Sequence, residues 1–167
     1  ATLWAEVVGL GQSQNLSPVY DRLEPDGKGL QIAIEKALAD AEITPDQLDL
    51  IVPHGTGVPG DDLAEARAIE AVLGSAVEDV DAWPTKSMLS TTGAASGALD
   101  LVAAVRAMST GIIPAARNFD APSEGCHLRI PTEACERTIR YALCCSYTHG
   151  GQTAAMVIKR LDESVAK

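Results

Sequence analysis

Short apolar runs rich in Val, Ile and Leu alternate along the chain with longer segments whose apolar residues recur at helical spacing, and this alternation restricts the fold more than any other feature. The stretch Leu3-Trp4-Ala5-Glu6-Val7-Val8-Gly9-Leu10-Gly11 reads as a strand closed by its glycines. Lys28 to Ala41 then carries Leu30, Ala33, Ile34, Ala37, Leu38 and Ala41 on one helical face. Leu48 to Val52 is a short strand stopped by Pro53, and Asp61 to about Leu73 is a second helix ended by Gly74. Trp83 to Ser87 supplies a third crossing, small residues lead into a helix from about Gly97 to Ser109, and Ile139 to Tyr147 with Gln152 to Lys159 form a terminal hairpin. The order β-α-β-α-β-α-β-β predicts an α/β fold with a mixed five-stranded sheet covered by helices, parallel across the helical crossovers and antiparallel at the hairpin. Gly111 to Pro131 is a connection too long to be idle. No repeat or linker divides residues 1–167, which read as a single domain, and the abrupt start of the first strand hints at sequence upstream.

Aromatics make up only 4% of the sequence, so Ala, Val, Ile and Leu must fill the core. Thirteen basic against twenty-three acidic residues leave a formal charge of −10, a field that repels polyphosphate, and no nucleic-acid partner is expected. No run reaches the roughly 18 apolar residues of a membrane span. The N-terminus also lacks the basic and apolar regions of an export signal, so a cytoplasmic protein without membrane contact is expected. Cys126, Cys135, Cys144 and Cys145 show no Cys-x-x-Cys spacing, and Cys144 and Cys145 would face opposite sides of a strand. They are expected to be reduced structural thiols. Nucleophile-elbow, Walker and His-Glu-x-x-His motifs are absent, and Cys126-His127 lacks further ligands, so no metal site is expected.

Ligands of open α/β sheets gather outside the carboxyl ends of the strands. Three polar segments fall there: His54-Gly55-Thr56-Gly57, Thr85-Lys86-Ser87, and Tyr147-Thr148-His149-Gly150-Gly151. A histidine directly after a buried strand can donate a hydrogen bond to a substrate oxygen, and the glycines beside it let backbone approach a ligand. The alternative for His54 is a loop histidine bound to backbone carbonyls. Lys86 follows an apolar segment, where it needs a carboxylate, and Glu65 is placed to supply one; the alternative is a solvated lysine on a surface turn.

Taken in order, Leu50 through Gly57, Asp62, Glu65, Thr85-Lys86-Ser87-Met88, Gly111-Ile112-Ile113-Pro114, Asn118, Ser146 and Gly150-Gly151 resemble the C-terminal half of β-ketoacyl-[acyl-carrier-protein] synthases. The resemblance covers nearly the whole chain. It implies one half of the thiolase fold, with the N-terminal half of the synthase absent from this chain. It also implies a decarboxylative Claisen condensation of acyl and malonyl thioesters in fatty-acid or polyketide synthesis. On this pattern His54 matches the first histidine that steadies the thioester oxygen, Lys86 the active-site lysine, Glu65 the carboxylate paired with it, and Thr56 a threonine of the pantetheine channel.

The departures are as specific. The usual Lys-Ser-x-x-Gly-His becomes Lys86-Ser87-Met88-Leu89-Ser90-Thr91, so Thr91 stands in place of the second histidine. Val58 replaces a second channel threonine, and His149 stands where the family keeps a gating phenylalanine. The acyl-accepting cysteine is not in this chain, which is expected to be inactive as an isolated half. The resemblance implies no cofactor beyond the phosphopantetheine arm of an acyl carrier protein, and it implies that carrier and the N-terminal half as partners in a homo- or heterodimer. Other readings are a non-catalytic partner similar to a chain-length factor, a thioester-binding module, and, with less support, a thiolase or thioester hydrolase.

Overall fold

The computed structural model describes residues 3–15, 17, 22–148 and 150–161. Strand β1 (Ala5–Gln14) leads to helix α1 (Lys28–Asp40), strand β2 (Leu50–Val52), helix α2 (Pro59–Leu73) and strand β3 (Asp81–Ala82). The short helix α3 (Lys86–Leu89) and helix α4 (Ser96–Thr110) follow, then strands β4 (Ile112–Ile113), β5 (Cys135–Glu136), β6 (Tyr141–Tyr147) and β7 (Gln152–Arg160). Five strands form one sheet in the order β1-β7-β6-β2-β3. β2 runs parallel to β3 and β6, whereas β7 is antiparallel to both β6 and β1. The mixed five-stranded sheet expected from the sequence is therefore present. The hairpin does more than add an edge, because β6 and β7 slot between β1 and β2.

Alternation along the strands sorts the core into two layers. Ile51, Leu143, Cys145 and Val157 face α1 and α2, packing on Leu30, Ala33, Ile34, Ala37 and Ile69. Leu50, Val52, Ala142, Cys144 and Ile158 face α4, packing on Ala104, Ala107 and Met108. Cys144 and Cys145 thus lie on opposite faces of β6 as free thiols, as their adjacency predicted.

Gly9 and Gly11 do not end β1; they lie inside it. A Cβ on Gly9 would stand 2.2 Å from the Ala37 carbonyl oxygen, and one on Gly11 would stand 1.9 Å from that of Ala33. These glycines let the backbone of α1 press on the strand. As its length predicts, the long connection is not idle, since it contributes β4, which pairs with β5 in a second small sheet. Asp81 anchors this crossing by pairing with Arg129 at 3.0 Å and Arg137 at 2.8 Å. Among the described residues no helix is long and apolar enough to cross a membrane.

Overpacking at the α1 contact is costly. Gly11→Ala is expected to destabilise the protein by about 1–3 kcal/mol in thermal unfolding. Gly60→Ala, in α2 where a Cβ meets nothing within 4 Å, serves as the clash-free control and is expected to keep or raise the melting temperature.

Candidate functional site

The segment after β2 is built by the opening turns of α2. Glu65 is 2% exposed and accepts the backbone N–H groups of His54 at 2.7 Å and Gly55 at 2.8 Å. Asp62 accepts those of Thr56 at 2.9 Å and Gly57 at 3.0 Å. Asp61 reaches in a third direction, to the N–H of Leu23 at 3.1 Å. Gly55 and Gly57 take φ values of 51° and 78°, the left-handed conformations this tight path requires. Carboxylates accepting several N–H groups beside a helix start are favoured both as charge-assisted acceptors and by the helix dipole.

The loop so formed places His54 on the wall of a cavity of about 650 Å³ together with Thr56, Val58, Thr91, Ser96, Ser146, Tyr147 and Arg22. The His54 ring meets Tyr147 edge to face, with centroids 4.4 Å apart. Of the residues expected from the sequence, His54, Thr56 and Thr91 converge here. Lys86 and Glu65 do not line this cavity. His149 falls outside the described residues.

The pairing expected for Lys86 is corrected by the structure. Its ammonium donates to Asp100 Oδ2 at 2.7 Å, with both side chains almost fully buried. Thr85 Oγ1 donates to the other oxygen of Asp100. Glu65 is turned to the His54 loop instead, and the charge of Lys86 acts on it only weakly. The sequence missed Asp100 because it sits on α4, and only the packing of α4 against the α3 segment shows which carboxylate meets the lysine. A buried ammonium left without this partner would be strongly destabilising.

The comparisons with known proteins agree with this architecture. Residues 4–120 match the family model "Beta-ketoacyl synthase, C-terminal domain". The chain belongs to the β-ketoacyl synthase family. It is 35% identical over 162 residues to 3-oxoacyl-[acyl-carrier-protein] synthase 2 of Coxiella burnetii, covering 96% of this chain and 39% of that protein. It is 32% identical to Nodulation protein E of a Rhizobium species, covering 96% of this chain and 40% of that protein. Among solved structures it superposes with a TM-score of 0.91 and 29% identity on a type II polyketide ketosynthase in complex with its acyl-carrier protein, covering 97% of this chain and 40% of that one. The ishigamide ketosynthase/chain length factor gives a TM-score of 0.87 at 30% identity, covering 97% and 39%. The chain spans about two fifths of the length of these relatives.

Within this synthase domain the substituted positions are physically distinct. Thr91 is exposed on the cavity wall, and Val58 presents an apolar group beside Thr56. Ser90, which stands at the glycine of the family's lysine motif, has φ 60° and ψ 178°. That region is nearly exclusive to glycine, and it carries about 1–3 kcal/mol of strain in other residues. Ser90 thus holds a conformation suited to glycine at the position where the family motif has one. None of the four thiols is poised as a nucleophile: burial raises the pKa of every one, that of Cys144 to about 12.

Burial raises the Glu65 carboxyl from 4.5 to about 7, against the opposing pull of the two N–H groups it accepts. An acid whose pKa is higher folded than unfolded stabilises the fold fully below the unfolded value and loses that contribution as pH climbs through the folded one. The wild type is therefore expected to lose stability relative to Glu65→Gln between pH 4.5 and about 7. The measurement is the urea midpoint of both proteins across that range. A constant offset at every pH would contradict it.

Proposed function

We propose that this domain is the malonyl-handling half of a 3-oxoacyl-[acyl-carrier-protein] synthase. A thioester on the phosphopantetheine arm of an acyl carrier protein enters the cavity beside His54. Loss of carbon dioxide from the malonyl group leaves its bonding pair as an enolate. That enolate attacks an acyl thioester on a cysteine of the N-terminal half, and the cysteine sulfur leaves with its electron pair. The observation that carries this reading is the convergence of His54, Thr56 and Thr91 on one chamber at the carboxyl end of β2.

The imidazole of His54 would donate to the thioester oxygen where negative charge develops, and Thr91 supplies a shorter hydroxyl that does not change protonation state near neutral pH. Lys86, held by Asp100, ties the α3 segment to α4, whose first residues Ser96 and Gly97 line the chamber. The raised thiol pKa values support a nucleophile supplied from outside this domain. An apolar face with Leu99 and Val102 of α4 exposed, beside a groove lined by Leu10, Leu101 and Met156, fits cover by the upstream half of the synthase. Dimerisation, a carrier-protein partner and a cytoplasmic location belong to the same proposal.

Thr91 and Val58 favour a second reading, a non-catalytic thioester-binding partner of an active synthase. Release of labelled carbon dioxide from a malonyl thioester by the complete protein separates the two. Turnover that falls by about 10²–10³ in His54→Ala supports the condensing enzyme. A wild type that binds the thioester without releasing carbon dioxide supports the partner.

A further inference from the structure

Tyr147 carries a hydroxyl that the fold leaves without a use. The residue is 9% exposed, and among the described residues its phenol oxygen has no hydrogen-bond partner. Yet its ring lies on His54 and forms part of the cavity wall. A buried hydroxyl with no partner is destabilising relative to the same ring without it. Burial raises the pKa of the phenol and the nearby Glu65 charge adds to this, so the group keeps its proton and acts as a donor. The Thr56 hydroxyl is close enough to influence that phenol, although the two do not close a hydrogen bond.

Thr56 is the residue through which the phenol can act. Its hydroxyl now accepts the N–H of Val58 at 3.3 Å and turns its proton to Asp62 at 3.3 Å, both long contacts. Asp62 does not depend on that proton, since it already accepts two backbone N–H groups from Thr56 and Gly57. A threonine hydroxyl has one proton to give and room to accept two. With Val58 N–H and the Tyr147 phenol as its two donors, Thr56 has its own proton free for the cavity.

We propose that Tyr147 is a positioning residue that donates to Thr56 when ligand binds, so that the Thr56 hydroxyl presents its proton to a carbonyl oxygen of the ligand. The ligand group selected at this point is an acceptor, such as the amide carbonyl of a pantetheine arm. This deepens the thioester reading and rests on it. The neighbouring Val58 offers no side-chain donor, so the two hydroxyls of Tyr147 and Thr56 act as one relay on that side of the cavity.

The test is calorimetric binding of pantetheine itself to the complete protein, which needs no turnover. Tyr147→Phe is expected to weaken binding roughly three- to tenfold, the range of one neutral hydrogen bond. In a Thr56→Val background the same change should have no further effect. The unliganded Tyr147→Phe protein should melt at the same temperature as wild type or higher, which a purely structural hydroxyl would not allow. Unchanged affinity in Tyr147→Phe, an equal loss in the Thr56→Val background, or a lowered melting temperature overturns the relay alone. A wild type that does not bind pantetheine overturns the relay and the thioester reading together.

Discussion

Carboxylates in the first turns of α2 hold the functional region of this domain together. Asp61, Asp62 and Glu65 each spend their oxygens on backbone N–H groups of segments that have no other regular structure. The helix itself is fixed by burial of Ala68, Ile69 and Leu73 against the sheet, so the loop inherits the rigidity of the core. Glu65 carries the greatest burden, because it is buried at the point where the chain leaves β2. Its desolvation is tolerated because two N–H groups would otherwise lose their acceptor.

The chemistry of the chamber follows from that scaffold. His54 is presented from a strand end with its backbone pinned on one side and its ring packed on Tyr147. The Lys86–Asp100 pair, bonded also to Thr85, fixes the α3 segment against α4 just before the turn that carries Thr91. The departures at Thr91 and Val58 alter what the chamber can donate. Ser90, beside Thr91, holds a glycine-like conformation at a cost a glycine would avoid.

Much of this was legible in the sequence, for identifiable reasons. Helical spacing in α1 and α2 and the apolar runs of β2, β6 and β7 report burial directly, the polar segment after β2 pointed to His54 and Thr56, and the resemblance to the synthases pointed to Thr91. Partners that depend on tertiary packing were not legible. Asp100 lies fourteen positions after Lys86, and nothing in local spacing distinguishes it from Glu65 as the lysine's mate. The glycines of β1 read as a terminus because their purpose, close contact with α1, is non-local. β4 and β5 are two residues each and leave no periodic trace. The unused hydroxyl of Tyr147 is visible only once its surroundings are known.

The account stands or falls on the clamp that α2 places on the His54 loop. Amide hydrogen exchange of the unliganded protein reads it directly, residue by residue. The N–H groups of His54, Gly55, Thr56 and Gly57 should be protected to nearly the same degree as those of β2, despite belonging to a loop. Exchange of these four at the rate of an unstructured segment would show that the carboxylates do not hold them, and the preformed chamber would have to be abandoned.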